Sequence, residues 1–94
     1  MAYRVVWARR ALQDPKGIAS YIAQDSPAYA RIVVRNIVNQ AKALVRFPRS
    51  GRAVPEFDDE NIREVFAYSY RIIYKLQPEA VLIAAVIHGR RILQ

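Results

Sequence analysis

The chain has no cysteine, a single histidine and a single tryptophan. Without thiols it can form neither disulfides nor thiolate metal sites, which suits a reducing compartment. No internal repeat, low-complexity tract or linker interrupts its 94 residues, so one domain spanning 1–94 is expected. Long apolar runs are missing as well. The longest, Ala80 to Ile87, is far too short to cross a bilayer. Strand character begins by Tyr3, so no signal peptide is expected. Together these absences predict a soluble, cytoplasmic protein with no membrane partner.

Acidic residues are also scarce. Eight face fifteen basic ones, for a net charge of +7. Glu56, Asp58, Asp59, Glu60 and Glu64 crowd into one stretch, so the remaining surface is more basic than the total suggests. Arginine dominates the basic residues, and its planar fork binds phosphate and carboxylate bidentately where lysine cannot. A surface of this kind implies a polyanionic partner: nucleic acid, a ribosome or an acidic protein. The plainer alternative is a charge that serves solubility.

Residues Tyr3 to Trp7 are β-branched and aromatic and read as a strand. Asp14-Pro15 resembles a helix cap followed by a first-position proline, with Ile18, Tyr21 and Ile22 marking one face. The pattern leaves open whether residues 8–13 already form a helical turn. Ser26-Pro27 repeats the cap signal. Ala30, Val33, Val34, Ile37, Val38, Ala41, Leu44 and Val45 then form a sustained apolar stripe, ended by Phe47-Pro48. Only Asp25-Ser26 separates the two helices, so they form an antiparallel hairpin.

A loop over residues 48–61 precedes three strand-like runs, Ile62–Ala67, Tyr70–Leu76 and Val81–His88. The order is β-α-α-β-β-β. The fold class is therefore α+β, with a helical hairpin covering one face of a mainly antiparallel sheet that ends in a three-stranded meander.

The turn at Pro78-Glu79 suggests a register. If Leu76 opposes Val81, then Ile72 faces Ala85, Arg71 faces Val86 and Ser69 faces His88. Alternation then puts Ser69, Arg71, Ile73, Leu82, Ala84, Val86 and His88 on one side. Tyr70, Ile72, Tyr74, Leu76, Val81, Ile83 and Ile87 share the other, more apolar side, which is assigned to the core with Tyr21, Tyr3 and Trp7. Arg71 and His88 become diagonal neighbours on the open face, and Arg63 can join them. Arg49 and Arg52 enter the sheet from the loop, while Arg90 and Arg91 leave its last strand. The expected picture is a cationic group around one imidazole, able to hold a phosphate and move a proton. The alternative is that His88 is a strand-end residue bonded to the backbone.

Several segments in order carry a family resemblance. They are Ile22-Ala23-Gln24-Asp25-Ser26-Pro27, Phe47-Pro48-Arg49-Ser50-Gly51-Arg52, Ile62-Arg63-Glu64, Tyr70-Arg71-Ile72-Ile73-Tyr74 and Val86-Ile87-His88-Gly89-Arg90-Arg91. The chain resembles the RelE/ParE superfamily of toxins from type II toxin–antitoxin modules over nearly its whole length. The resemblance implies a growth-arresting toxin, a cognate antitoxin, and neither a metal nor a small-molecule cofactor.

It also implies two mechanisms. RelE-like members cleave mRNA in the ribosome. On that pattern His88 would be the general acid, and Arg63, Arg71 and Arg90 would bind phosphate. ParE-like members inhibit DNA gyrase by protein contact. On that pattern Arg49, Arg52 and Arg91 would touch the target and His88 would be structural. No tyrosine follows His88, and lysines are scarce near the second strand, which separates the chain from the nuclease pattern. The His88-Gly89-x-Arg ending is closer to the ParE-like one, although Ile92 stands where an acidic residue is usual.

Overall fold

The computed structural model describes residues 3–91. Strand β1 (Arg4–Trp7) leads through a 3-10 turn (Arg10–Gln13) into helix α1 (Asp14–Ala23) and helix α2 (Pro27–Ala43). A short strand β2 (Arg52–Ala53) follows, then β3 (Ile62–Ala67), β4 (Tyr70–Gln77) and β5 (Ala80–His88). The sheet order is β1-β5-β4-β3-β2. β1 runs parallel to β5, and every other pair is antiparallel. The expected α+β architecture is present. Two features are additions to it: the two-residue β2, and the parallel seat of β1 on β5.

The start of α2 follows from its cap. Ser26 is extended, and its hydroxyl accepts the Tyr29 N–H at 3.1 Å, with Pro27 opening the helix. Such a cap contributes about 1 kcal/mol. Ala30, Val33, Ile37 and Ala41 are the buried stripe of this helix, and Leu44 extends it. Val33, Ile37, Ala41 and Leu44 pack with Ile72, Tyr74, Leu76, Val81, Ile83 and Val86 of the sheet in one core.

Helix α1 starts differently from the sequence expectation. The 3-10 turn runs into it directly, and Gln13 and Asp14 both have helical angles, so Asp14 caps nothing at the helix start. Its carboxylate instead accepts the Val86 N–H of β5 at 2.8 Å. Ile18 and Ile22 pack against the core, but Tyr21 does not: it is 71% exposed. Its expected core position is corrected, because helix periodicity alone does not say where the apolar stripe ends. Tyr3 and Trp7 are half-buried beside the core.

The register of β5 decides the rest. From Gln77↔Ala80 to Tyr74↔Ile83 the pairing is the one the turn predicts. Between Tyr74 and Ile73 it shifts by one residue, and Ala84 is the residue left over. A bulge of this kind turns every later side chain to the opposite face. Beyond it Arg71 pairs with Ile87, Ile72 with Val86 and Tyr70 with His88. Val86 is therefore core and Ile87 is not, which reverses the expected assignment of both.

Tyr68, in the tight turn between β3 and β4, has a positive φ of 53°. Hairpin turns of this length favour such angles, but a side chain there costs about 1–2 kcal/mol. Its ring packs edge-to-face on Tyr29 with centroids 6.0 Å apart. Pairs of that geometry contribute about 0.5–1.5 kcal/mol, enough to offset most of the cost.

Candidate functional site

Strand alternation and the bulge separate the expected cluster. Arg71 pairs with Phe66 and Ile87 on the face away from the helices, whereas His88 pairs with Tyr70 on the helix side. Arg63 pairs with Tyr74 and so also lies on the helix side. The expected diagonal contact of Arg71 with His88, and the joining of Arg63 to Arg71, are both corrected by this register.

Arg71 is buried, at 4% exposure, and almost fully engaged. Nε donates to Glu64 Oε1 at 2.6 Å. Nη1 and Nη2 donate to the two carboxylate oxygens of Glu56, each at 2.8 Å. Nη1 also donates to the Arg91 carbonyl at 2.9 Å. Glu64, itself 1% exposed, accepts from Arg52 Nε at 2.6 Å through its other oxygen. A buried carboxylate is tolerable only with this kind of pairing. The Glu56 bond is the largest influence on Arg71, outweighing burial; with Glu64 it raises the guanidinium pKa above its ordinary value. The arginine fork therefore binds internal carboxylates in the geometry it would offer a phosphate. Four separate parts of the chain meet on it: β3, β4, the acidic loop and the turn after β5.

The other arginines are scattered. Arg52 keeps an exposed side chain and lies over the Phe66 ring at 5.7 Å. Arg63 donates to the Gly51 carbonyl at 2.7 Å, and its buried Nε has no hydrogen-bond partner among the described residues. Arg49 is exposed in the turn after α2, beside Tyr3, Phe47, Pro48 and Ser50. Arg90 and Arg91 are exposed after β5. The expected open pocket joining Arg71 and Arg63 to His88 is not assembled, and the cavity that His88 lines has Arg10 and Arg91 at its wall instead.

His88 is exposed, with its ring edge-on to Tyr70 at 5.7 Å. Its Nδ1 accepts the Arg90 N–H at 3.2 Å, a bond that matches the backbone-bonded alternative. Beneath the loop that carries Arg49 and Arg52, Tyr74 acts as a latch. Its hydroxyl donates to the Pro48 carbonyl at 2.8 Å and accepts the Gly51 N–H at 3.1 Å. Three residues went unassigned in the sequence: Glu56, Glu64 and, in its real role, Asp14. The acidic density opposite an arginine-rich chain was a signal for the first two. Nothing local marks the third. No group of three or more His, Cys, Asp or Glu side chains among the described residues is placed to hold a metal ion.

The family model described as the ParE toxin of the type II toxin–antitoxin system parDE matches residues 5–93. The chain belongs to the ParE toxin family. A relative among curated proteins, Toxin RelE2 of Caulobacter vibrioides (strain ATCC 19089 / CIP 103742 / CB 15), is 32% identical over 90 residues. That match covers 95% of this chain and 98% of the relative. Two solved structures share the fold. A chromosomal ParDE system from P. aeruginosa aligns with a TM-score of 0.75 at 20% identity, over 92% of this chain and 95% of that one. A mutant of E. coli toxin RelE in the free state aligns at 0.68 and 18%, over 96% and 86%. The protein is thus the toxin of a type II toxin–antitoxin system in the ParE/RelE group, and such a toxin implies an antitoxin partner. No helix of the toxin among the described residues is long and apolar enough to cross a membrane.

Proposed function

We propose that the toxin arrests growth in the cytoplasm by protein contact, as an inhibitor of DNA gyrase, and not by cutting RNA. The observation that carries this reading is the engagement of Arg71 by Glu56 and Glu64 on one face while His88 occupies the other. A phosphodiester would have to displace a bidentate carboxylate to reach the arginine. It would then find no imidazole on that side to protonate the leaving oxygen. Exposed Arg49, Arg52 and Arg91 are left as contact residues. The name of the RelE2 relative favours the alternative, a ribosome-dependent endonuclease using His88, Arg63, Arg71 and Arg90. That mechanism requires the acidic loop to leave Arg71 and the end of β5 to change register.

For the antitoxin, the surface we assign is the groove along the outside of the helical hairpin. It is floored by Ala19, Ala23, Ala30 and Val34 between Arg31 and Arg35. Small side chains flanked by arginines suit an acidic amphipathic segment. The gyrase reading is tested by adding purified toxin to gyrase and relaxed plasmid. Blocked supercoiling is expected, and undiminished supercoiling at excess toxin would reject the reading.

A further inference from the structure

The loop from Phe47 to Arg52 is held more tightly than a surface loop requires. Phe47 is 62% exposed, the Arg52 side chain is 63% exposed, and Arg49 and Ser50 are exposed as well. Loops with side chains in water ordinarily leave their backbone groups to water too. Here the sheet supplies the partners.

Tyr74 is fully buried, yet its hydroxyl donates to the Pro48 carbonyl at 2.8 Å and accepts the Gly51 N–H at 3.1 Å. Arg63 Nη1 donates to the Gly51 carbonyl at 2.7 Å. Within the loop, the Ser50 N–H donates to the Phe47 carbonyl at 3.0 Å. Arg52 Nε donates to Glu64 at 2.6 Å. The constraints from outside the loop come from β3 and β4, so its backbone is fixed to the sheet.

Burying a hydroxyl and a guanidinium costs desolvation. Arg63 bears that cost in part without return, because its buried Nε has no hydrogen-bond partner among the described residues. What these two side chains fix is the shape of a loop whose own side chains lie largely in water. A contact loop shaped before it meets its partner loses less freedom on binding. The loop also stands apart from the antitoxin surface assigned above. That groove ends at Arg35, and α2 runs on for about 12 Å before the loop begins.

We infer that Tyr74, with Arg63, is a positioning residue: its hydroxyl holds the Phe47–Arg52 loop in the shape that presents Arg49 to the toxin's protein target. The inference rests on the protein-contact reading above, in which Arg49 and Arg52 are contact residues. It is tested with full-length Tyr74→Phe, Arg63→Met, Arg49→Ala and the double variant Tyr74→Phe/Arg49→Ala, each checked for folding by thermal melting. Asp14→Ala is the control, because it loosens the fold away from the loop.

At a temperature where all are folded, the inhibitory concentration against gyrase should rise about tenfold for Tyr74→Phe and for Arg49→Ala. Asp14→Ala should stay native-like. The double variant should be no weaker than Arg49→Ala alone, because the hydroxyl acts through the loop. Trypsin gives a reading that needs no target. Cutting after Arg49 and Arg52 should quicken about tenfold in Tyr74→Phe and Arg63→Met but not in Asp14→Ala. Should Tyr74→Phe fail to fold, Arg63→Met takes its place in the cycle. Native-like inhibition by the folded latch variant or by Arg49→Ala, a loss of about a hundredfold in the double variant, or unchanged cutting by trypsin would overturn the positioning role while leaving the gyrase reading intact. No antitoxin is present, so lost potency reports contact with the target.

If native toxin spares gyrase but arrests growth on induction with messages intact, the gyrase reading fails and the inference does not. The induction level needed for arrest is then compared across the same variants, with the same outcomes deciding. A native toxin that cuts messages, or arrests nothing, overturns both.

Discussion

The Asp14 carboxylate accepts the Val86 amide at 2.8 Å, joining the first residue of α1 to the last strand across 72 positions of sequence. Val86 is two residues past the bulge residue Ala84. The bond satisfies an edge amide that β1 is too short to reach, and it lies where the new register begins. Asp14→Ala should therefore cost about 1–3 kcal/mol, the penalty for a partly buried amide left without its charged acceptor. Urea denaturation checks the size. Asp14→Asn, whose amide oxygen can still accept, should lose less.

Arg71 should be the most costly single arginine to remove. Its loss strands Glu64, whose side chain has no exposed surface, with only the solvent-facing Arg52 as partner. Breaking a buried pair from one side costs about 3–5 kcal/mol. Arg71→Ala should lower the unfolding free energy by that order. Arg52→Ala should cost less, about 1–3 kcal/mol, because the buried Glu64 loses one partner but keeps its bond to Arg71. Parallel denaturant melts distinguish the two.

Gly51→Ala should destabilise by at least about 1–3 kcal/mol, the range for overpacking. The added carbon would meet the Glu64 carbonyl oxygen at 2.5 Å and the Tyr74 hydroxyl at 2.6 Å. A backbone oxygen in a paired strand cannot step aside. The change also pushes on the latch that holds the Arg49–Arg52 loop. A melting temperature equal to the native one would contradict this packing.

Burial pushes the Tyr74 hydroxyl above the ordinary tyrosine value of 10.0, with the Gly51 bond, Arg63 and Arg49 acting in the opposite direction. Burial, then Tyr21 and Tyr29, also raises Tyr70. A raised folded-state value means the stability contributed is fully present below the unfolded value and lost as pH rises through the folded one. The native toxin should therefore lose stability from about pH 10 upward. Tyr74→Phe should be less stable at pH 7 by about 1–3 kcal/mol, since the Pro48 carbonyl and Gly51 amide lose their partner. Its alkaline decline should be shallower. Stability measured against pH for both proteins checks slope and sign.

The helices and strand order were legible in the sequence because local signals agree there. Ser26-Pro27 opens α2, and Ala30, Val33, Ile37 and Ala41 fall at helical spacing into the core. The hairpin turn also gave the right register as far as Ile83. Beyond that the sequence is silent, because Ala84-Ala85 carries no bulge signature and Asp14, which holds the Val86 amide just past the bulge, is distant in the chain. One extra residue therefore moved His88 away from Arg71. Strand β2 is too short to leave a periodic pattern, and Tyr21 shares the spacing of its core neighbours while lying outside the core. The arginines were visible as charge, but their partners were not. Pairing Arg71 with Glu56 depends on where a loop crosses the sheet, which no local pattern specifies.

Whether the separated Arg71 and His88 leave RNA uncut is tested most directly on translating ribosomes. Purified toxin added to them should leave the message intact under conditions in which the same preparation blocks gyrase supercoiling. Cleaved message, with cleavage abolished in His88→Ala, would contradict the account and show that the imidazole works as a proton donor after all.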